Sequence, residues 1–175
     1  MSVVAVKVYD DKISIGADSI RVYEYTQEKE PTAKLLEVNN MVIGHSGKCI
    51  DLFLLASFAK TRKPKEKADE DDILDYFSEF QNWAKNKQNN INYDLGESSF
   101  IIIYEKKVYV FENYFIRNVE TYFAIGAGRN YALSALYLGE DVKKAIKVSC
   151  ELSIYCEEPI NLIEIKKTKR GKNES

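Results

Sequence analysis

Cysteine and histidine are scarce in this chain. Among 175 residues there are three cysteines, Cys49, Cys150 and Cys156, and one histidine, His45. An odd set of thiols without C-x-x-C spacing excludes a disulfide framework and a zinc site of the Cys-pair type, and it suits a reducing compartment. Long apolar runs are missing too, since none approaches the roughly 20 residues that a bilayer span requires. No basic segment leads into an apolar one at the N-terminus, so no secretory signal is expected. Charge of one sign is not in excess: 25 Lys and Arg against 27 Asp and Glu leave a net −2. That balance gives no general pull toward nucleic acid or an anionic membrane. A cytoplasmic protein is expected, with neither nucleic acid nor membrane as a partner.

Internal repeats and low-complexity segments are also absent. What remains is an ordinary globular composition, 45% hydrophobic and 30% charged, in a length suited to one domain over residues 1–175. The basic cluster Lys166-Lys167-Thr168-Lys169-Arg170-Gly171-Lys172 is read as the start of a solvated tail over 166–175.

Hydrophobic periodicity orders the elements. Val3 to Val8 and Ile13 to Ala17 read as two strands around an Asp10-Asp11-Lys12 turn, with Val22 to Tyr25 extending the second. A polar loop from Gln27 to Pro31 leads to a strand over 34–38, and Asn39-Asn40 turns it back into 41–44. Ile50, Phe53, Leu54 and Phe58 then predict one helix face, and Ile73, Phe77, Phe80 and Ala84 another. Asp69 to Asp72 supplies anions at the start of the second helix, where the dipole favours them. Strands resume at 100–104, 108–111 and 122–125, followed by a helix over 131–138 that Gly139 breaks. Val142, Ala145, Ile146, Ser149, Leu152 and Cys156 mark a third amphipathic face, Pro159 stops it, and 160–165 is a last strand. Helices grouped between hairpin-like strands predict an α+β fold of two packed antiparallel sheets with helices outside.

The chemistry-bearing feature is Ser2 in front of the strand Val3-Val4-Ala5-Val6. Removal of Met1 would leave an α-amine and a hydroxyl on one residue. An α-amine titrates near pH 8, so it can take the hydroxyl proton and make that residue nucleophile and base at once. Asp18, Lys34 and Ser46-Gly47 follow at fixed distances.

Five motifs in a fixed order carry a family resemblance. They are the opening strand behind Ser2; Gly16-Ala17-Asp18-Ser19; Ala33-Lys34-Leu35; Ser46-Gly47-x-x-x-Asp51; and Ala124-Ile125-Gly126-x-Gly128 with Tyr131-Ala132 behind it. Together with Leu152-Ser153-Ile154-Tyr155-Cys156 they resemble the proteasome β-subunit family, most closely its bacterial branch, the HslV peptidase. The alternative of a dinucleotide loop at Gly126-x-Gly128 is disfavoured, because Tyr131 stands where a third glycine belongs.

The resemblance implies a four-layer αββα sandwich of the N-terminal nucleophile hydrolase type. It implies an endopeptidase that hydrolyses unfolded polypeptides inside a homo-oligomeric ring fed by an AAA+ unfoldase, and needs no organic cofactor. In it Ser2 takes the nucleophile's place, Lys34 lowers the pKa of the hydroxyl by its charge, Asp18 orients Lys34, and the Gly47 N–H donates to the oxyanion. It also implies a Na+ or Mg2+ site formed by main-chain oxygens of Cys150, Ser153 and Cys156 at the end of the late helix, where carbonyls lack helical partners. The family's serine in the I-G-S-G loop is Ala127 here. An alternative register puts Met1 at the nucleophile position, with a one-residue insertion in the Asp10–Lys12 turn. Two further functions stay open: a catalytically inactive ring subunit, and another amidohydrolase on the same fold. His45 beside Ser46 is read as structural, and Cys49 as a small buried residue with pocket lining as its alternative.

Overall fold

A computed structural model of the chain describes residues 2–23, 26–28 and 33–167. Its frame is two antiparallel sheets. The first has four strands in the order β10 (Tyr122–Gly126), β1 (Val3–Val8), β2 (Lys12–Ala17), β11 (Asn161–Lys166). The second has five, β5 (Leu35–Val38), β6 (Met41–Ser46), β7 (Ser99–Tyr104), β8 (Lys107–Glu112) and β9 (Phe115–Asn118). A separate two-stranded hairpin is made by β3 (Arg21–Tyr23) and β4 (Thr26–Glu28).

Why β1 is apolar at every position from Val3 to Val6 follows from its place between layers. Side chains alternate across a strand, and both faces of β1 are covered. Val4 and Val6 point into the core between the sheets with Ile13, Ile15, Ile101 and Val110. Val3 and Ala5 point the other way, against α3 (Arg129–Tyr137) and α4 (Val142–Leu152). On the far side, α1 (Cys49–Ala59) and α2 (Glu70–Gln88) cover the second sheet through an aromatic core that includes Phe58, Phe77, Phe80, Phe100 and Phe111. Phe77 stacks on Phe111 with ring centroids 4.3 Å apart. Helices, sheet, sheet, helices: the four layers are those expected.

Local chemistry sets the boundaries. The Asp69 side chain accepts from Asp72 N at 3.0 Å, and Asp69 N donates back to Asp72 Oδ2 at 3.4 Å, a reciprocal cap at the start of α2. Asn39-Asn40 and Glu105-Lys106 both turn through positive φ, as two-residue hairpins require.

Several elements differ from expectation. Strand β9 was not predicted, because its turn is Asn113-Tyr114 and tyrosine is not a residue that signals left-handed φ. The Tyr114 hydroxyl instead is held by donating to Gln81 Oε1 at 2.5 Å while accepting from Leu95 N at 3.1 Å. Arg21–Tyr23 does not extend β2 but opens the β3–β4 hairpin, and Thr26–Glu28 is strand where a loop was expected. The inward face of α1 carries Asp51, Leu54, Leu55 and Phe58, whereas Ile50 and Phe53 are exposed. Helix α4 ends at Leu152, so Cys156 lies beyond it. Lys166, assigned to the tail, is the last residue of β11 and pairs with Lys12. Met1, Glu24-Tyr25, 29–32 and 168–175 lie outside the described residues, and with them the Met1 register and most of the basic tail.

Candidate active site

The site is assembled by main-chain pairing before any side chain is considered. The ladder from Val4↔Ala17 to Val8↔Ile13 brings the end of β2 beside the start of β1. Asp18 N then donates to Val3 O at 3.2 Å, and Val3 N returns a bond to Asp18 Oδ1 at 2.8 Å. His45 N donates to Lys34 O at 3.0 Å, which places Lys34 at the start of β5 beside the end of β6. The Lys34 ammonium reaches Asp18 Oδ2 at 2.8 Å, and Glu157 N adds a bond of 3.4 Å to the same oxygen. Asp18 is fully buried and Lys34 nearly so. Burial pushes the Asp18 carboxyl up, and the Lys34 charge with the backbone donors pulls against that rise.

Ser2 is held through its carbonyl, which accepts from Gly128 N at 3.2 Å. Gly128 is fixed in turn: its own carbonyl accepts from Ser149 Oγ of α4 at 3.0 Å. Gly126 has φ +92°, and a Cβ there would collide with the Ser2 carbonyl oxygen and lie 2.7 Å from Ser46 Oγ. The Gly126-x-Gly128 turn is therefore a seat for the Ser2 peptide. Ala127 is exposed on that turn and carries no hydroxyl.

Ser2, Lys34 and Gly47 line one cleft of about 620 Å³, together with Ile20, Val22, Leu52 and Phe53. Four of the residues expected in the chemistry are thus brought together, three on the cleft and Asp18 behind Lys34. Among the described residues lining it, Arg21, Lys34 and Lys48 are cations and none is a carboxylate. Cys49 is exposed and lines this cleft, which corrects its reading as buried.

A second polar cluster sits behind Gly47, and sequence reasoning did not find it. Asp51 is fully buried and accepts from Tyr93 OH at 2.8 Å and from Ser98 Oγ at 2.5 Å. His45 Nε2 lies 3.3 Å from the same Ser98 hydroxyl, so its serine partner is Ser98 and not the adjacent Ser46. Burial above all drives the His45 pKa down to about 3, and the ring is neutral. The serine pair Ser98-Ser99 at the start of an apolar strand is the only sequence signal of this cluster.

Cys150, Ser153 and Cys156 border a shallow depression of about 320 Å³ past the end of α4. Burial, with the Asp18 charge next in weight, raises the Cys150 thiol to about 12 and the Cys156 thiol to about 11. Neutral thiols are poor ligands, so a cation here would have to be held by oxygens, as Na+ or Mg2+ prefers. Of the three main-chain oxygens expected to hold it, Ser153 O already accepts from Cys156 N at 3.2 Å. Among the described residues no group of three or more His, Cys, Asp or Glu side chains could hold a metal.

Taken as a class, the layers make an αββα sandwich of the N-terminal nucleophile hydrolase type. Solved structures sharing it include Thiobacillus denitrificans BPH, also solved in complex with epoxomicin. The complex aligns at TM-score 0.83 with 15% identity over 94% of this chain and 98% of that one; BPH alone gives 0.82 at 15% over 94% and 97%. HslV from Trypanosoma brucei aligns at TM-score 0.66 with 16% identity over 94% of this chain and 99% of that one. No protein-family model and no curated protein sequence matches the chain. No helix among the described residues is long and apolar enough to cross a membrane.

Proposed function

We propose that this chain is an N-terminal nucleophile peptidase in which Ser2, freed by removal of Met1, cleaves peptide bonds of unfolded polypeptides. One observation carries the reading: Ser2, Lys34 and Gly47 share a cleft while the buried Asp18 holds Lys34 at 2.8 Å. In the proposed step, Ser2 Oγ attacks the peptide carbonyl and its proton passes to the Ser2 α-amine. The Gly47 N–H meets the oxyanion, a role worth a few kcal/mol of barrier. The protonated amine then gives its proton to the leaving nitrogen, and an ester remains on Ser2. Water, losing its proton to the same amine, hydrolyses that ester. Lys34 favours the developing alkoxide by its charge.

The resemblance to HslV in sequence motifs extends this reading to a cytoplasmic homo-oligomeric ring that encloses the clefts and receives substrate from an AAA+ unfoldase. A Na+ or Mg2+ ion on the main-chain oxygens of Cys150, Ser153 and Cys156 belongs to the same reading. The test is labelling with epoxomicin, an epoxyketone that needs amine and hydroxyl on one residue, read by intact mass. The expected product lacks Met1 and carries one adduct on Ser2. Retained Met1 with no adduct defeats the proposal. A second reading, a ring subunit without chemistry, is favoured by one residue: Ala127 supplies no hydroxyl where the resembling family has serine.

A further inference from the structure

The Ser98 hydroxyl is a hub at one point in the fold. It donates to Asp51 Oδ2 at 2.5 Å, accepts from Lys48 N at 3.1 Å, and has His45 Nε2 at 3.3 Å. With its one proton committed to the carboxylate, it can only accept from the other two. His45 is then the Nε2–H tautomer, donating to Ser98. The hub thus ties together the end of β6, the residue before α1, the first turn of α1 and the segment before β7. Ser98 is buried, as are His45 and Asp51.

The segment that this hub grips is Gly47-Lys48. Gly47 has φ +142°, and a Cβ on it would meet the Ser98 side chain, with Ser98 Cα at 2.7 Å and Glu97 O at 2.8 Å. The loop is therefore pressed against Ser98 on one side and open to the cleft on the other. Lys48 N is drawn inward to the Ser98 hydroxyl, whereas none of the described residues accepts a bond from Gly47 N. Helix α1 has no side-chain cap from Lys48. Ser98, from a distant part of the chain, instead accepts the N–H of the N-cap residue itself.

We infer that Ser98, locked by Asp51, is a positioning residue: it anchors the Lys48 N–H and so sets the Gly47 peptide with its N–H presented to the cleft. This rests on the peptidase reading for its chemistry, since Gly47 is the oxyanion donor there. Ser98 itself is screened from the cleft by Gly47 and takes no part in bond making. Nor is the cluster a second nucleophilic triad, because the carboxylate contacts the serine and not the histidine.

The experiment compares the full-length wild-type assembly with Ser98→Ala and Ser98→Cys. The second keeps the shape but weakens all three hydrogen bonds of the hydroxyl, so it serves if the alanine variant does not fold. Active sites are counted by epoxomicin adduct mass. Per labelled site, kcat for a peptide substrate is expected to fall about 10- to 100-fold in Ser98→Ala, with KM within twofold, because an oxyanion donor is displaced and not removed. Ser98→Cys should show a smaller loss in the same direction. Hydrogen exchange of the Lys48 amide, read by fragment mass, should quicken at least tenfold while amides of β7 keep their protection. Unchanged kcat, or unchanged Lys48 exchange, in a folded variant overturns the positioning role. A wild type that takes no label and turns over no peptide defeats the peptidase reading and, with it, the catalytic part of this one. Lys48 exchange then decides the anchoring part alone.

Discussion

The Lys34 ammonium and the Asp18 carboxylate form an ion pair of 2.8 Å whose side chains are 7% and 0% exposed. Surface pairs contribute little, but removing one partner of a buried pair leaves the other charge without compensation. Asp18 keeps backbone donors from Val3 and Glu157, so the pair also joins β1 to the segment after α4.

Lys34→Ala should therefore cost stability as well as activity. We expect a loss of about 3–5 kcal/mol, reduced to the extent that Asp18 takes up a proton. Urea unfolding and peptide turnover measure the two effects. An unchanged midpoint with full turnover would identify a pair without consequence.

Ser2→Ala is the complementary case. It removes one hydroxyl and leaves the carbonyl that Gly128 N contacts, so the fold and assembly should persist while hydrolysis vanishes. Unchanged turnover in the purified variant would take Ser2 out of the mechanism.

His45 should make the protein sensitive to mild acid. Its pKa is about 3 in the folded state, against 6.5 ordinarily. The unfolded chain therefore takes up the proton first as pH falls. The stabilising contribution is complete above pH 6.5 and is lost as pH drops from there toward 3, at about 1.4 kcal/mol per pH unit. Between pH 6.5 and 5 the loss is about 2 kcal/mol. His45→Gln should flatten this part of the stability profile. Parallel profiles for the two proteins would show that His45 carries no such linkage.

Gly126→Ala tests the seat of the Ser2 peptide. Positive φ and the collision with the Ser2 carbonyl oxygen should together cost about 2–4 kcal/mol. The epoxomicin labelling rate should fall in whatever fraction folds. An alanine variant that melts and labels as the wild type does would mean that the turn adapts freely.

Assembly is checked by light scattering at low micromolar concentration. Phe53, Tyr137, Leu138, Leu152 and Ile154 are large apolar side chains left exposed on the protomer, as expected of surfaces that neighbours cover. A ring should scatter as many multiples of the 20.1 kDa chain. A clean single-chain mass would remove the chamber from the proposal.

Much of the architecture could be read before the fold was known, because it rests on local rules. Alternation and apolar runs marked β1, β2, β7 and β8; acids before Ile73 marked the start of α2; Asn39-Asn40 marked a hairpin. Ser2, Asp18 and Lys34 were legible as a set only through the family resemblance; the β1–β2 register brings Asp18 beside Val3, whereas Lys34 arrives from the start of β5 in the other sheet. Local signals failed where a distant contact decided the conformation. Tyr114 adopts positive φ under the hold of Gln81 and Leu95. Phe53, apolar and in helical phase, lies outward because Asp51, Leu54 and Phe58 take the buried face.

The cluster behind Gly47 lies wholly on that second side. Nothing adjacent to His45 or Asp51 in the chain predicts Ser98 as their shared partner, because it comes from a segment 53 and 47 residues away. Local preferences are properties of a few neighbouring residues and are written into the order of the chain. A hydroxyl placed between a carboxylate, an imidazole and a backbone N–H exists only after strands β6 and β7 have paired and helix α1 has closed against them.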